Sequence, residues 1–229
     1  YVISRVYAHF MEPRGVIGNY DPGEDRYTLY ADVQYPHRVR NALASKIFKI
    51  PENKMRVIAG DVGGGFGTKG WQYPEHRLML WASRKLGRPV KWSCERQEAI
   101  LADEHGRDNI SEAELALDAE NRILGLRVRT LANVGAYVSS DRNLLATYSN
   151  VSTLVGVYDI PAAHVHVSCV MANTNGTAPY RGAGRPEATY VIERLLDDAA
   201  QELEIDRLEL RRRNIIPSGA MPYRNAFGN

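Results

Sequence analysis

A glycine-rich segment is the part of this sequence whose residue types point most directly to chemistry. Residues 60–70 read Gly-Asp-Val-Gly-Gly-Gly-Phe-Gly-Thr-Lys-Gly, between an apolar run at 55–59 and a helical pattern that begins at Pro74. Glycine tolerates positive φ and has no Cβ, so consecutive glycines allow backbone N–H groups to approach a ligand closely. The sequence predicts that this segment, the glycine loop, cradles a cofactor or an anion.

Other interpretations compete for the same loop. Residues 65–70 match the G-x-G-x-x-G spacing of a dinucleotide-binding domain, with Glu95 as the ribose-binding acid. This match is weak, because further residues separate Gly70 from Pro74, the expected first helical residue. A P-loop is excluded, since Lys69 is followed by glycine and not by the Ser or Thr that holds magnesium. A turn that only packs against a neighbouring strand remains as a structural alternative.

The histidines and cysteines give little indication of a metal site. His164 and His166 share one face of a predicted strand, but no third ligand is near them in sequence, so an ordinary strand face is favoured. Cys94 and Cys169 are the only cysteines, and both lie in apolar runs. We expect two core thiols in a reducing compartment. They cannot hold an iron–sulfur cluster, which needs about four cysteine ligands.

Composition limits the class of protein further. The chain has 229 residues, 44% of them hydrophobic, and its net charge of +2 arises from 29 basic and 27 acidic residues. Such a balance argues against a nucleic-acid partner, and the arginines at 211–213 lie among acidic residues on a helix face that we expect to be solvated. The sequence has no signal peptide and no run of ~18 apolar residues, so we expect a cytoplasmic protein without a membrane span.

Several segments resemble, in order along the chain, the molybdopterin-binding large subunit of the molybdenum hydroxylases. That family includes xanthine dehydrogenase, aldehyde oxidase and carbon monoxide dehydrogenase. The segments are Met11-Glu-Pro-Arg-Gly15, Gln34-x-Pro36-His37-x-Val39-Arg40, Asp61-Val-Gly-Gly-Gly-Phe-Gly-Thr-Lys69, Gly87-Arg-Pro-Val-Lys-Trp92, His105-Gly-Arg-Asp108, Asn133-Val-Gly-Ala-Tyr137 and Pro179-Tyr-Arg-Gly-Ala-Gly-Arg185. They cover nearly the whole chain, and the last resembles the second, glycine-containing form of the carbon-monoxide-dehydrogenase-like subunits. The resemblance indicates the family and leaves the substrate open.

The resemblance implies a molybdenum ion carried by molybdopterin, in its cytosine dinucleotide form, with no direct protein ligand to the metal. The cofactor-binding residues that it implies are Gln34, Gly63, Gly64, Gly65, Phe66, Gly67, Arg181 and Gly182. Gln34 would donate its side-chain amide to the apical oxo group, the Phe66 N–H would face another oxygen ligand, and Arg181 would line the metal pocket. Taken singly, Gln34 could end a strand, Phe66 could be a core aromatic residue and Arg181 could pair with Glu187.

The family hydroxylates a carbon centre with oxygen drawn from water, and its catalytic glutamate lies in a second portion of the large subunit. This sequence begins at Tyr1 and ends at Asn229, so we expect a fragment that contains no catalytic residue and is inactive alone. The resemblance implies as partners the remainder of the large subunit, a 2Fe-2S subunit or domain, an FAD subunit or domain and a small-molecule substrate. The alternative is a stand-alone glycine-loop module for binding or assembly, without molybdenum chemistry.

We expect the substrate to be an aldehyde or an aromatic N-heterocycle. Purine oxidation in the family uses a glutamate and an arginine, where this chain has Gly70 and, counted back from Tyr158, about Ser149. Carbon monoxide oxidation uses a loop cysteine that holds copper, and soft Cu(I) needs such a ligand. Residues 179–185 contain no cysteine, so we expect a copper-free hydroxylase.

The elements that must position these residues indicate an α+β fold with mixed sheets and packed helices, because strands and helices do not alternate regularly. The predicted strands are 1–10, 26–34, 55–59, 89–94, 112–118, 123–134 and 165–170. The predicted helices are 36–47, 74–86, 186–203 and, after a cap at Asp206, 207–213. We expect one molybdopterin-binding domain over residues 1–229, or two lobes at 1–110 and 111–229.

Overall fold

The computed structural model describes residues 1–144 and 150–229. The chain divides into two compact units: the small unit, Tyr7–Glu104, and the large unit, Tyr1–Val6 with His105–Asn229. The strands are β1 Val2–Ile3, β2 Gly15–Asp21, β3 Arg26–Ala31, β4 Met55–Ile58, β5 Val90–Ser93, β6 Asn109–Leu117, β7 Ile123–Gly135 and β8 Ala163–Met171. The helices are α1 Pro36–Asn41, α2 Pro74–Leu86, α3 Arg96–Ala102, α4 Arg185–Glu202 and α5 Arg207–Asn214, with a π-helix at Ala42–Phe48. Each unit combines a mixed sheet with helices, which confirms the predicted α+β class.

The sheet of the small unit has the strand order β4-β3-β2-β5. β2 is antiparallel to β3 and β5, whereas β3 and β4 are parallel. Tyr27, Leu29 and Ala31 are buried on one face of β3, as the period-two pattern predicts. Helix α2 crosses β2 so closely that a Cβ on Gly18 would lie 2.4 Å from the carbonyl carbon of Met79. Position 18 therefore has no room for a side chain.

Two helical segments of the small unit differ from the prediction. The expected regular helix over 36–47 is an α-helix only as far as Asn41, after which it widens into the π-helix. A π turn contains more residues than an α turn, so the apolar stripe leaves the 3.6-residue period: Val39 and Leu43 are buried, but Ile47 is exposed. Helix α3 was not predicted from the sequence. The Glu95 N–H that precedes it donates to the Glu98 carboxylate (3.4 Å), an arrangement typical of a helix start.

The sheet of the large unit has the order β1-β6-β7-β8. β6 and β7 form the predicted antiparallel hairpin, and β8 is parallel to β7. The predicted strand over 1–10 is wrong beyond Ile3, because the chain passes from the large unit to the small unit after Val6. The predicted cap of α5 is confirmed, since the Asp206 carboxylate accepts the N–H groups of Leu208 and Glu209, both at 2.9 Å.

The core of the large unit lies between its sheet and α4. Its buried members include Leu126, Val128, Ile192, Leu196 and Leu210. Within residues 1–144 and 150–229, no helix is long and apolar enough to cross a bilayer.

Candidate functional site

The glycine loop lies where the sequence predicts it, between β4 and α2 of the small unit. Gly64 and Gly67 adopt φ values of 94° and 107°, which L side chains rarely tolerate. Phe66 has a φ of 50°, an unusual conformation for a bulky residue, and its side chain is 43% exposed. Phe66 is therefore not a core aromatic residue. Its backbone is held in a strained conformation at the surface of the loop.

Gln34 holds the second half of the loop. Its side-chain oxygen Oε1 accepts the N–H of Gly67 at 2.8 Å, and its own N–H donates to the carbonyl oxygen of Lys69 at 3.0 Å. The contact with Gly67 assigns the orientation of the amide, because only the oxygen can accept that hydrogen bond. Because the Gln34 oxygen accepts the Gly67 N–H, the Nε2 group of Gln34 is left to donate a hydrogen bond to a ligand. Among residues 1–144 and 150–229 it has no acceptor.

The loop presents a second uncharged donor at Phe66. Within the part of the chain that the structure describes, the Phe66 N–H makes no hydrogen bond. The adjacent turn is fixed, because the N–H and Oγ1 of Thr68 both donate to the carbonyl oxygen of Gly65, at 3.0 and 2.7 Å. A Cβ on Gly65 would lie 2.6 Å from Gln34 Oε1, so this position has no room for a side chain. The loop thus presents two neutral hydrogen-bond donors next to glycines that leave space for a ligand. Such donors suit a group with oxygen acceptors, which the predicted cofactor has.

Lys69 is a buried member of the glycine loop, although the sequence analysis considered it only as part of a motif. Its side chain is 1% exposed and pairs with Asp32, which is 7% exposed, and with Glu12 at 3.1 Å. Its ammonium group also lies 4.4 Å from the centre of the Phe10 ring. Burial raises the pKa of the Asp32 carboxyl group, and the Lys69 charge opposes that shift.

The second predicted site segment, residues 179–185, lies in the large unit and is clamped by Arg107. The Arg107 guanidinium donates to the carbonyl oxygens of Tyr180 (3.0 Å) and Arg181 (2.9 Å). It also pairs with the fully buried Glu187 at 3.1 Å, so the alternative pairing of Arg181 with Glu187 is wrong. The Arg181 side chain is exposed and has no partner among the described residues. Gly182 has a φ of 92°, and a Cβ there would meet the Pro186 ring at 2.7 Å.

The predicted site residues thus fall into two groups. Gln34 lies with Gly63, Gly64, Gly65, Phe66 and Gly67 in the small unit, and Arg181 lies with Gly182 in the large unit. Sequence reasoning missed Glu12 and Lys69 in the first group and Arg107 in the second. Glu12 and Arg107 belong to short segments with a family resemblance, Met11–Gly15 and His105–Asp108, which was the available signal.

The remaining candidates do not form a site. His164 and His166 are exposed on β8, and no group of three or more possible metal ligands exists among the described residues. Cys94 is buried, with its thiol pKa raised to about 12 by burial, but Cys169 is exposed on β8. The expectation of two core thiols is therefore half wrong. Ser149 lies outside the described residues.

Glu95 does not support a dinucleotide-binding domain. It precedes the first turn of α3, and the sheet of its unit contains the antiparallel strands β2, β3 and β5. A doubly wound nucleotide fold needs a mostly parallel sheet with the acid at a strand end. The glycine loop is therefore not a Rossmann turn.

Comparison with known proteins gives one family and a consistent set of relatives. The model of the molybdopterin cofactor-binding domain matches residues 1–215. The carbon monoxide dehydrogenase large chain of Hydrogenophaga pseudoflava is 38% identical over 98% of this chain and 28% of its own. The nicotine 6-hydroxylase large subunit of Paenarthrobacter nicotinovorans is 36% identical over 98% of this chain and 28% of its own.

Solved structures agree with these sequence relatives. Quinoline 2-oxidoreductase from Pseudomonas putida 86 superimposes with a TM-score of 0.95 and 34% identity, over 100% of this chain and 29% of that protein chain. The chain thus spans about 28% of the length of the curated relatives that it matches.

Proposed function

Since this chain belongs to the family of molybdopterin cofactor-binding domains, we propose that it is part of the large subunit of a molybdenum hydroxylase. The observation that carries the proposal is the pair of neutral donors on the glycine loop, Gln34 Nε2 and the Phe66 N–H. Gly67 occupies the oxygen of the Gln34 amide, so its donor end is available to an oxygen ligand of the cofactor. Donors fixed in advance stabilise charge on such oxygens without reorganisation during the reaction.

Each predicted residue has a role in this proposal. Gln34 and Phe66 donate hydrogen bonds to the cofactor, and Gly63, Gly64, Gly65 and Gly67 allow the backbone to approach it. Arg181 and Gly182 are cofactor-binding residues on a second segment, which Arg107 holds in place. The bound cofactor supplies the redox chemistry that hydroxylates carbon with oxygen from water. The carboxylate base comes from the remainder of the large subunit, and we propose that residues 1–229 alone are inactive.

An aldehyde or an aromatic N-heterocycle is the proposed substrate. Two of the relatives are named for the N-heterocycles quinoline and nicotine. The chain is similar to a carbon monoxide dehydrogenase, but we propose that it binds no copper. Residues 179–185 contain no cysteine whose thiolate could bind Cu(I). Gly70 stands at the place of the purine-binding glutamate and has no side chain that could bind a purine. A site that lacks such a hydrogen-bonding residue should discriminate strongly against purines.

The wider assembly belongs to the same proposal. The cofactor is molybdopterin in the cytosine dinucleotide form, and electrons leave through 2Fe-2S and FAD groups on partner subunits or domains. The relatives are named as large chains or large subunits, which supports a multi-subunit enzyme. We place this enzyme in the cytoplasm.

Replacing Gln34 by glutamate tests the proposal in the complete, molybdenum-containing gene product. The Gln34→Glu variant would keep an oxygen that accepts the Gly67 N–H, but the donor would be lost. Gln97→Glu is the matched control, because Gln97 is exposed on α3 of the same unit. With an aldehyde and N-heterocycle panel and a dye as electron acceptor, we expect Gln34→Glu to lower kcat by about 100-fold, as for loss of one oxyanion donor.

Two outcomes would contradict the proposal. Wild-type turnover by Gln34→Glu would remove Gln34 from the site. A complete gene product without molybdenum would favour the stand-alone module instead.

A further inference from the structure

The glycine loop is held at its other end by Glu12. The Gly63 N–H donates to Glu12 Oε2 at 2.8 Å, and the Glu12 N–H donates to the Gly63 carbonyl oxygen at 3.1 Å. A Cβ on Gly63 would lie 2.4 Å from the Glu12 Cβ, so the two segments are in direct contact. Glu12 fixes Gly63 just as Gln34 fixes Gly67.

Lys69 connects these two fixed ends. Its Nζ donates to the carbonyl oxygen of Glu12 (2.7 Å) and to the Glu12 carboxylate (3.1 Å), and it pairs with Asp32. Its own carbonyl oxygen accepts the N–H of Gln34 at 3.0 Å. One buried residue therefore contacts both of the side-chain anchors of the loop.

The charges in this cluster depend on one another. Lys69 and Asp32 are almost wholly buried, and a buried charge is stable only when it is paired and hydrogen-bonded. Glu12 is the accessible member, with 41% of its side chain exposed. Glu12 can therefore be changed while the buried pair of Lys69 and Asp32 stays intact.

The strained residue of the loop lies between the two anchors. Phe66, with its φ of 50°, would relax if either end of the loop were released, since strained conformations persist only where the surroundings enforce them. Relaxation would rotate its N–H, which is one of the two donors assigned to the cofactor. Glu12 and Gln34 thus control the direction of the Phe66 N–H, although neither side chain contacts it.

We propose that Glu12 and Lys69 are positioning residues: Lys69 holds the Glu12 carboxylate, Glu12 holds Gly63, and the held loop aims the Phe66 N–H at the cofactor. This inference rests on the proposed function as regards the cofactor, but not as regards the conformation of the loop. Neither residue touches the reacting atoms in this account.

The test compares Glu12→Ala and Glu12→Gln with the wild-type complete enzyme loaded with molybdenum. Glu24→Ala is the matched control, because Glu24 is exposed at the turn between β2 and β3 and pairs only with the exposed Arg26 among the described side chains. Hydrogen–deuterium exchange of the peptide over residues 60–70 reports on the loop. Steady-state kinetics and the Mo(V) electron paramagnetic resonance spectrum report on the cofactor.

We expect Glu12→Ala to accelerate exchange over residues 60–70 without changing exchange in β3. Its kcat should fall about ten- to hundredfold, the usual effect of a small misplacement, while KM changes less than about twofold. The Mo(V) spectrum should shift. Glu12→Gln keeps an oxygen that can accept the Gly63 N–H, so it should recover most of the exchange protection and kcat.

Unchanged exchange over residues 60–70 in Glu12→Ala would overturn the inference. So would faster exchange with the kcat and Mo(V) spectrum of the wild type, because the contact would then be structural only. A wild-type enzyme without molybdenum would instead overturn the proposed function, and the exchange measurement would still decide whether Glu12 holds the loop. Lys69→Met is less suitable, since it would leave Asp32 as an unpaired buried charge.

Discussion

Atoms of Gln34 leave no room for a side chain on Gly65. The nearest distances from a Cβ at Gly65 would be 2.6 Å to Oε1 and 2.9 Å to Cδ. Gln34 cannot yield without breaking its hydrogen bond to Gly67. The donor that we assign to the cofactor and the glycine that it packs against are thus coupled.

Gly65→Ala should therefore displace Gln34 and lower both molybdenum content and kcat in the complete enzyme. We expect a loss of about 1–3 kcal/mol in the free energy of unfolding, as for other overpacked sites. Gly60→Ala is the control, because a Cβ there meets nothing within 4 Å and the φ of Gly60 is not positive. Equal molybdenum content and unfolding midpoints for the two variants would show that the contact at Gly65 is unimportant.

The nearness of Gln34 to the glycine loop could be anticipated from sequence through the resemblance, and the fold explains it. β3 and β4 are parallel neighbours, so the segments that follow them meet at the same sheet edge. Lys69 and Glu12 are 57 residues apart, and Arg107 and Glu187 are 80 apart. No local pattern reports such pairings, because each depends on the finished packing of its unit.

Helices and strands with strong local patterns agree with the sequence. The β6–β7 hairpin alternates in polarity and closes through a short turn, and α5 has an acidic cap, so both are specified by neighbouring residues. The π-helix and α3 were not anticipated. The π-helix breaks the period on which helix prediction rests, and α3 is only seven residues long.

The first turn of α2 contains a buried histidine that makes stability depend on pH. His76 Nδ1 accepts the N–H of Tyr73 at 3.2 Å. Burial, aided by the charge of Arg14, lowers the pKa of His76 from 6.5 to about 4. The folded protein therefore keeps this ring neutral at pH values where the unfolded chain protonates it.

Because the folded pKa is lowered, the contribution of His76 is fully present above pH ~6.5 and is lost as the pH falls toward 4. The total loss from this group is about 3 kcal/mol at 1.36 kcal/mol per pKa unit. Urea unfolding of wild type, His76→Gln and His164→Gln between pH 7.5 and 4.5 measures it. We expect a shallower pH dependence only in His76→Gln, since His164 is exposed. Identical slopes for all three proteins would refute the assignment.

The proposed cofactor-binding residues belong to two segments, each held within its own unit of the chain. The small unit contributes Gln34 and the glycine loop, and the large unit contributes Arg181 and Gly182, with Arg107 as their clamp. The assignment of both segments to the cofactor follows from their family resemblance, because composition and periodicity carry no information on a bound cofactor.

A crystal structure of the complete gene product, with anomalous diffraction measured at the molybdenum absorption edge, tests the account most directly. We predict one molybdenum peak whose oxygen ligands lie within hydrogen-bonding distance of Gln34 Nε2 and the Phe66 N–H. No copper peak should accompany it. Absence of molybdenum, or a molybdenum peak remote from Gln34 and Phe66, would contradict the central claim.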